Sequence, residues 1–82
     1  MTKIDAANII RGYSRDIGKV SELKRVEDIY HLGDEELAIY AAYWYSVKHH
    51  DKLDVLLHMR EAAAEHNDSF NAVLLAIKTL ES

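Results

Sequence analysis

The stretch LAIYAAYWYSVKHH, residues 37–50, contains four of the seven aromatic residues in this chain of 82 residues. At the helical spacing of about 100° per residue, Tyr40 and Trp44 share one face, whereas Ile39 and Tyr43 lie nearly opposite. A helix that is apolar on two sides is either buried between neighbours or half-buried with a partner on its second face. The stretch therefore predicts a helix whose aromatic residues are either core or interface.

Capping residues on both sides of this helix divide the chain into further short helices. Thr2 and Asp5 have the spacing of a capping box that starts the first helix, and Gly18 is its expected stop. Asp34 is the expected N-cap of the aromatic helix, which should run to about His50. Further boundaries are expected at Ser21 and Gly33 for a short second helix, at Asp51 for a fourth helix, and at Asn67 and Asp68 or Ser69 before a fifth.

The apolar residues keep a helical period almost throughout the chain. Leu53, Leu56 and Leu57 form one stripe of the fourth predicted helix. The chain has no proline and only three glycines, which favours helices over a turn-rich sheet. The stripe of the fifth helix is Phe70, Val73, Leu74, Ile77 and Leu80. We therefore predict an all-α fold, a compact bundle of four to five short capped helices that forms a single domain over residues 1–82.

Composition limits the compartment and the class of partner. The chain has no cysteine, so disulfides are excluded and nothing indicates secretion. The first residues, MTKIDAANIIRGYSRD, lack the apolar run of a signal peptide, and no stretch approaches the roughly 20 apolar residues of a membrane span. We expect a cytoplasmic protein without membrane contact. The net charge is −4, with nine acidic against four basic residues in positions 34–82, so direct nucleic-acid binding is not expected.

Two polar stripes have a structural and a functional interpretation each. Arg11, Arg15 and Lys19 are spaced by four, which fits a solvated helix face or a row that follows phosphates. Asp54, His58, Glu61 and Glu65 share one side of the fourth predicted helix, which fits a solvated face with pairing at i, i+4 or a weak metal site.

Catalysis has no support in the sequence beyond that second stripe. There is no cysteine nucleophile, no serine in a glycine-rich elbow and no glycine-rich phosphate loop. We therefore predict a protein that is not an enzyme, with no catalytic residue, no metal ligand and no cofactor. A metal-dependent hydrolase built on the His58 stripe is the third-ranked class of function.

The aromatic helix carries the predicted binding surface. We expect a non-catalytic protein-interaction module, because Tyr and Trp are enriched at the centre of protein interfaces. Another copy of the chain is one expected partner, since an exposed apolar stripe often closes as a two-fold dimer. The candidate anchors are Tyr40, Tyr43, Trp44 and Tyr45, and the candidate polar rim is Asp34, Glu35 and Glu36.

Three stretches of the chain resemble the Hha/YmoA family of small enterobacterial modulators of gene expression. They are MTKID (residues 1–5), LKRV (residues 23–26) and LGDEELAIY (residues 32–40), and the resemblance spans residues 2–48. It implies a protein that does not read DNA by itself but docks onto a nucleoid-associated silencer of the H-NS type.

A second resemblance implies the alternative function. The segment VSELKRVEDIYHLGDEELAIYAAY, residues 20–43, is similar to helical segments of ArdA-type antirestriction proteins, which are acidic mimics of DNA. This likeness implies a small acidic inhibitor of a nucleic-acid-binding or nuclease complex, of the anti-defence type. Both families are often carried on mobile elements such as phages and plasmids, and both act by binding another protein.

Overall fold

The computed structural model describes residues 1–19, 32–63 and 68–82, with side chains described as far as His58 in the middle range. Within these ranges the chain forms four α-helices, one 3₁₀ turn and no β-strand, so the predicted all-α class is confirmed. The radius of gyration is 11.6 Å, as expected for a compact chain of this length. The elements are α1 (Lys3–Arg15), the 3₁₀ turn (Asp16–Lys19), α2 (Asp34–Ser46), α3 (His50–Ala63) and α4 (Asp68–Glu81).

Helix α1 begins at the predicted capping box. The Asp5 N–H donates to the Thr2 hydroxyl (3.1 Å), and the Asp5 carboxylate accepts from the Thr2 N–H (3.5 Å). The predicted stop at Gly18 is wrong, because α1 ends at Arg15 and tightens into the 3₁₀ turn, in which Gly18 does not have a positive φ.

Helix α2 is the predicted aromatic helix, but both of its ends differ from the predicted positions. Gly33, in extended conformation, is the N-cap, so Asp34 begins the helix instead of capping it. Asp34, Glu35 and Glu36 then occupy the first turn, where the helix dipole favours carboxylates. The helix ends at Ser46, before the predicted His50, because Val47 caps it and a hydrogen-bonded turn follows immediately.

The remaining boundaries agree closely with the capping residues. Helix α3 begins at His50, one position before the predicted cap Asp51, and α4 begins at Asp68. The predicted helix between Ser21 and Gly33 and the predicted stop at Asn67 lie outside the described residues.

One apolar core joins all four helices. Helices α1, α2 and α4 pack against one another, and α3 packs against α2. The predicted stripe of α4 lies in this core: Phe70, Val73 and Ile77 are buried, and its other two members are half-buried against them. The core residues from the other helices are Ala6 and Ile10 of α1, Leu37, Ala38, Tyr40, Ala41, Ala42 and Trp44 of α2, and Leu53 and Leu56 of α3. Ile39 of α2 is also buried.

Candidate functional site

Two of the four predicted anchors are core residues. Tyr40 is 0% exposed and Trp44 is 5% exposed, and their ring centroids are 5.4 Å apart with planes tilted by 51°. The expectation that these two rings face outward is wrong, because the face of α2 that they share is covered by other helices of the same chain.

The other two candidate anchors, Tyr43 and Tyr45, are half-buried at the edge of the core. Their rings pack on the core and keep part of their surface in contact with solvent. Asp34 begins α2 and Tyr45 lies near its end, eleven positions and about 16 Å along the helix axis. The acidic first turn and Tyr45 therefore do not belong to one site.

Tyr45 instead lines an open groove with a volume of about 400 Å³. The groove lies where α1, the end of α2, the start of α3 and the end of α4 meet. Volumes of about 300–1,000 Å³ are typical of ligand sites. Its lining residues are Ala7, Ile10, Arg11 and Ser14 of α1, Tyr45 and Ser46 of α2, then Lys48, His50 and Leu80.

The turn after α2 brings Lys48 to this groove. Val47 caps the helix, the Lys48 N–H donates to the Tyr45 carbonyl (3.1 Å), and the His49 N–H donates to the Trp44 carbonyl (3.0 Å). This pair of bonds is a Schellman motif, in which the residue after the cap has a left-handed backbone and is usually glycine. Here that residue is Lys48, with a φ of 60°.

The groove combines an apolar floor with positive charge. Ile10 is buried and Leu80 is half-buried, whereas Arg11 and Lys48 are exposed cations. No acidic residue belongs to the described lining, although the whole chain has a net charge of −4. The Arg11 guanidinium donates to the Asn8 side-chain oxygen (3.0 Å), which restricts its position on α1.

Two neighbours, His50 and Glu81, lie close to Tyr45 in the groove wall. Its ring meets the His50 ring edge-on, with centroids 5.9 Å apart. Burial, and to a smaller extent the nearby Glu81 carboxylate, raises the pKa of the Tyr45 phenol above its ordinary value. A tyrosine phenol keeps its proton near pH 7 in any case, so it can donate a hydrogen bond to an anion.

The two serine hydroxyls of the groove are engaged with the backbone. The Ser14 hydroxyl donates to the Arg11 carbonyl (3.2 Å), and the Ser46 hydroxyl donates to the Ala42 carbonyl (2.9 Å). Each hydroxyl has one proton, so neither serine donates to His50 in this arrangement. Neither serine of the groove is therefore paired with His50 as an activated nucleophile in this arrangement.

The polar stripes predicted from the sequence are only partly described. Helix α1 ends before Lys19, which pairs with Asp16 across the 3₁₀ turn (3.1 Å), so Arg11, Arg15 and Lys19 do not share one helix. In the part of the chain with described side chains, no three potential metal ligands cluster. Glu61 and Glu65 lie outside that part.

None of the described helices combines the length and the apolar character that a membrane span requires.

Arg11, Lys48, His50 and Leu80 were not predicted as parts of one site. The basic residues that follow the aromatic helix could have indicated a charged site at its end, because basic residues after a helix often lie near its last carbonyls. No local sequence pattern indicates that α1 contributes residues to the groove, since this contribution depends on how α1 packs beside the end of α2.

The chain matches no protein-family model, no curated protein and no solved structure. The resemblances to the Hha/YmoA and ArdA families therefore stay predictions.

Proposed function

We propose that this chain is a non-catalytic protein-interaction module that binds a segment of a partner protein in the groove beside Tyr45. The observation that carries the proposal is the combination, in one groove, of an apolar floor, a half-buried tyrosine and two exposed cations. Tyr and Arg are among the residue types most enriched at energetically important positions of interfaces.

In this function Tyr45 is the aromatic contact, in place of the buried Tyr40 and Trp44. The role of the two buried rings is to hold α2 in the core, so that Tyr45 and the turn at Lys48 have fixed positions. A rigid contact surface favours affinity, because little conformational entropy is lost on binding.

The partner class and the location in this proposal come from the sequence. The resemblance to small modulators of nucleoid proteins makes a DNA-associated protein the first partner to test, and the cytoplasm is the expected compartment. Self-association through the same groove is the competing arrangement, and analytical ultracentrifugation of the isolated chain distinguishes it from binding to a different protein.

Site-specific photo-crosslinking followed by a direct binding measurement tests the proposal. Ser46 lines the groove and is exposed, whereas Asn71 of α4 is exposed and does not line it. Replacement of Ser46 by p-benzoylphenylalanine is expected to crosslink a protein that the same replacement at Asn71 does not crosslink. That protein is then purified, and its affinity is measured by isothermal titration calorimetry.

Arg11→Glu and Arg15→Glu form a matched pair for the affinity measurement. Both residues are exposed on α1, but only Arg11 lines the groove. We expect Arg11→Glu to weaken binding about tenfold or more and Arg15→Glu to change it little. Equal effects of the two variants, with unchanged circular dichroism, would exclude the groove as the binding site.

The acidic inhibitor is a second candidate function, favoured by the exposure of Asp34 and Glu35 at the start of α2. Such an inhibitor would present these carboxylates to a basic nucleic-acid-binding surface. Binding would then weaken steeply with salt and with the double change Asp34→Asn and Glu35→Gln, and it would not respond to Arg11→Glu.

A further inference from the structure

Lys48 occupies a backbone position at which glycine would be more stable. Its φ of 60° lies in the left-handed region, where a Cβ atom is unfavourable, and the Schellman hydrogen bonds hold it there. Backbone strain of this kind is concentrated at functional sites. Glycine would relieve the strain but would not place an ammonium group beside the groove. We therefore attribute the lysine at this position to its side chain, which lines the groove.

The charged and titratable groups around the groove come from every element that forms it. Helix α1 contributes Arg11, the turn contributes Lys48, and α3 contributes His50. Helix α4 contributes Glu81, whose carboxylate lies near the Tyr45 phenol. Two cations, Arg11 and Lys48, and the Tyr45 phenol thus line the groove, with one carboxylate near Tyr45.

We propose that the groove binds an acidic segment of the partner protein in which a carboxylate-bearing residue is adjacent to an apolar one. Arg11 and Lys48 take the carboxylate, and the apolar side chain lies on Ile10 and Leu80. This inference rests on the proposed function, since it specifies the chemistry of the segment that the same groove would bind. Charge complementarity selects this occupant, because the described lining has cations and no acid.

The C-terminal end of α4 places an acidic residue beside the groove, which affects the binding of an acidic segment. Leu80 lines the groove, and the carboxylate of the adjacent Glu81 lies near Tyr45. The Glu81 carboxylate opposes the approach of a second anion. Glu81→Gln is therefore expected to strengthen binding of an acidic segment.

An NMR titration of the ¹⁵N-labelled full chain tests the chemistry. The probe is the blocked peptide acetyl-Gly-Leu-Glu-Leu-Glu-Gly-amide, and its control has glutamine in place of both glutamates. We expect the acidic peptide to shift the amide signals of Ser46, Lys48 and His50 and to bind about fivefold more tightly than its control, or better.

Two lysine variants show whether Lys48 itself is responsible. Lys48→Gly keeps the left-handed turn and removes the ammonium group, and Lys52→Ala removes an exposed lysine of α3 that does not line the groove. We expect Lys48→Gly to weaken binding of the acidic peptide about fivefold and Lys52→Ala to leave it unchanged. Equal binding of the two peptides, or unchanged binding by Lys48→Gly, would overturn the inference.

Two further results separate this inference from the proposed function. If the Ser46 crosslinker captures a partner whose binding depends on Arg11 while the two peptides bind equally, only the acidic-segment inference is wrong. If an eight-nucleotide oligothymidylate shifts the groove signals at lower concentration than the acidic peptide, the groove binds phosphate and the inference is wrong. If Arg11→Glu weakens the binding of no crosslinked partner, the proposed function is wrong, and with it the inference that rests on it.

Discussion

Tyr40 and Trp44 lie one turn apart on α2, with ring centroids separated by 5.4 Å, and both rings are sealed in the core of a single chain. Aromatic pairs at this distance and tilt contribute packing energy beyond the area that they bury. The pair therefore anchors α2 between its neighbours, and the polar turn that follows it is left at the surface.

Removing the indole should destabilise the fold. We expect Trp44→Ala to lower the free energy of unfolding by about 3–5 kcal/mol, because it leaves a large cavity beside Tyr40. Urea unfolding followed by circular dichroism measures this change. Tyr43→Ala, at a half-buried position, should cost clearly less. An unfolding free energy unchanged by Trp44→Ala would contradict the placement of this ring in the core.

Replacing the strained lysine should stabilise the fold. Lys48→Gly is expected to raise the free energy of unfolding by about 1 kcal/mol, because glycine adopts a positive φ without the penalty imposed by a Cβ atom. Lys48→Ala retains the Cβ atom and should leave stability nearly unchanged. Thermal or urea unfolding of the two variants decides the point, and a destabilised Lys48→Gly protein would contradict the left-handed turn.

The contribution of the α1 capping box to stability should be measurable by removing the Thr2 hydroxyl. Thr2→Ala removes the acceptor for the Asp5 N–H and is expected to cost about 1 kcal/mol of stability. Thr2→Ser keeps the acceptor and should lose only a small part of this. A Thr2→Ala protein as stable as Thr2→Ser would show that the cap makes no net contribution.

The phenol of Tyr45 should ionise at higher pH than an exposed tyrosine. Burial and the Glu81 carboxylate both disfavour the phenolate, so the pKa is raised in the folded chain above its ordinary value of about 10. The unfolded chain then releases this proton first, and the contribution of Tyr45 to stability is full below pH 10 and is lost as pH rises through the folded pKa.

NMR titration of the tyrosine ring carbons measures this shift directly. Glu81→Gln should lower the pKa of Tyr45 without restoring the ordinary value, because burial is the larger cause. A Tyr45 pKa at or below that of an exposed tyrosine would contradict the position of this side chain.

Local features of the fold were predictable because a few neighbouring residues determine them. Thr2 and Asp5 form their capping box within one turn, and the spacing of Phe70, Val73 and Ile77 fixes one face of α4 whatever it packs against. The exact end of α2 was not predictable in this way, because a lysine stands where the Schellman motif usually has glycine.

The candidate site needed tertiary information. Periodicity places Tyr40 and Trp44 on one face and Tyr43 on another, but it does not say which face meets α1 and α4. The groove combines Arg11, Lys48 and Leu80, which are far apart in the sequence and meet only after the helices have packed. The sequence therefore left open whether the aromatic helix is core or interface, and the choice of Tyr40 and Trp44 as outward-facing anchors was wrong.

The most direct test of the account is to map the partner on the ¹⁵N-labelled chain, once crosslinking has identified that partner. We predict that the largest changes in amide chemical shift on adding it fall on Ser46, Lys48 and His50 and on the α1 residues that line the groove. Changes confined to the start of α2, at Asp34 and Glu35, with the groove signals unmoved, would contradict binding through the groove.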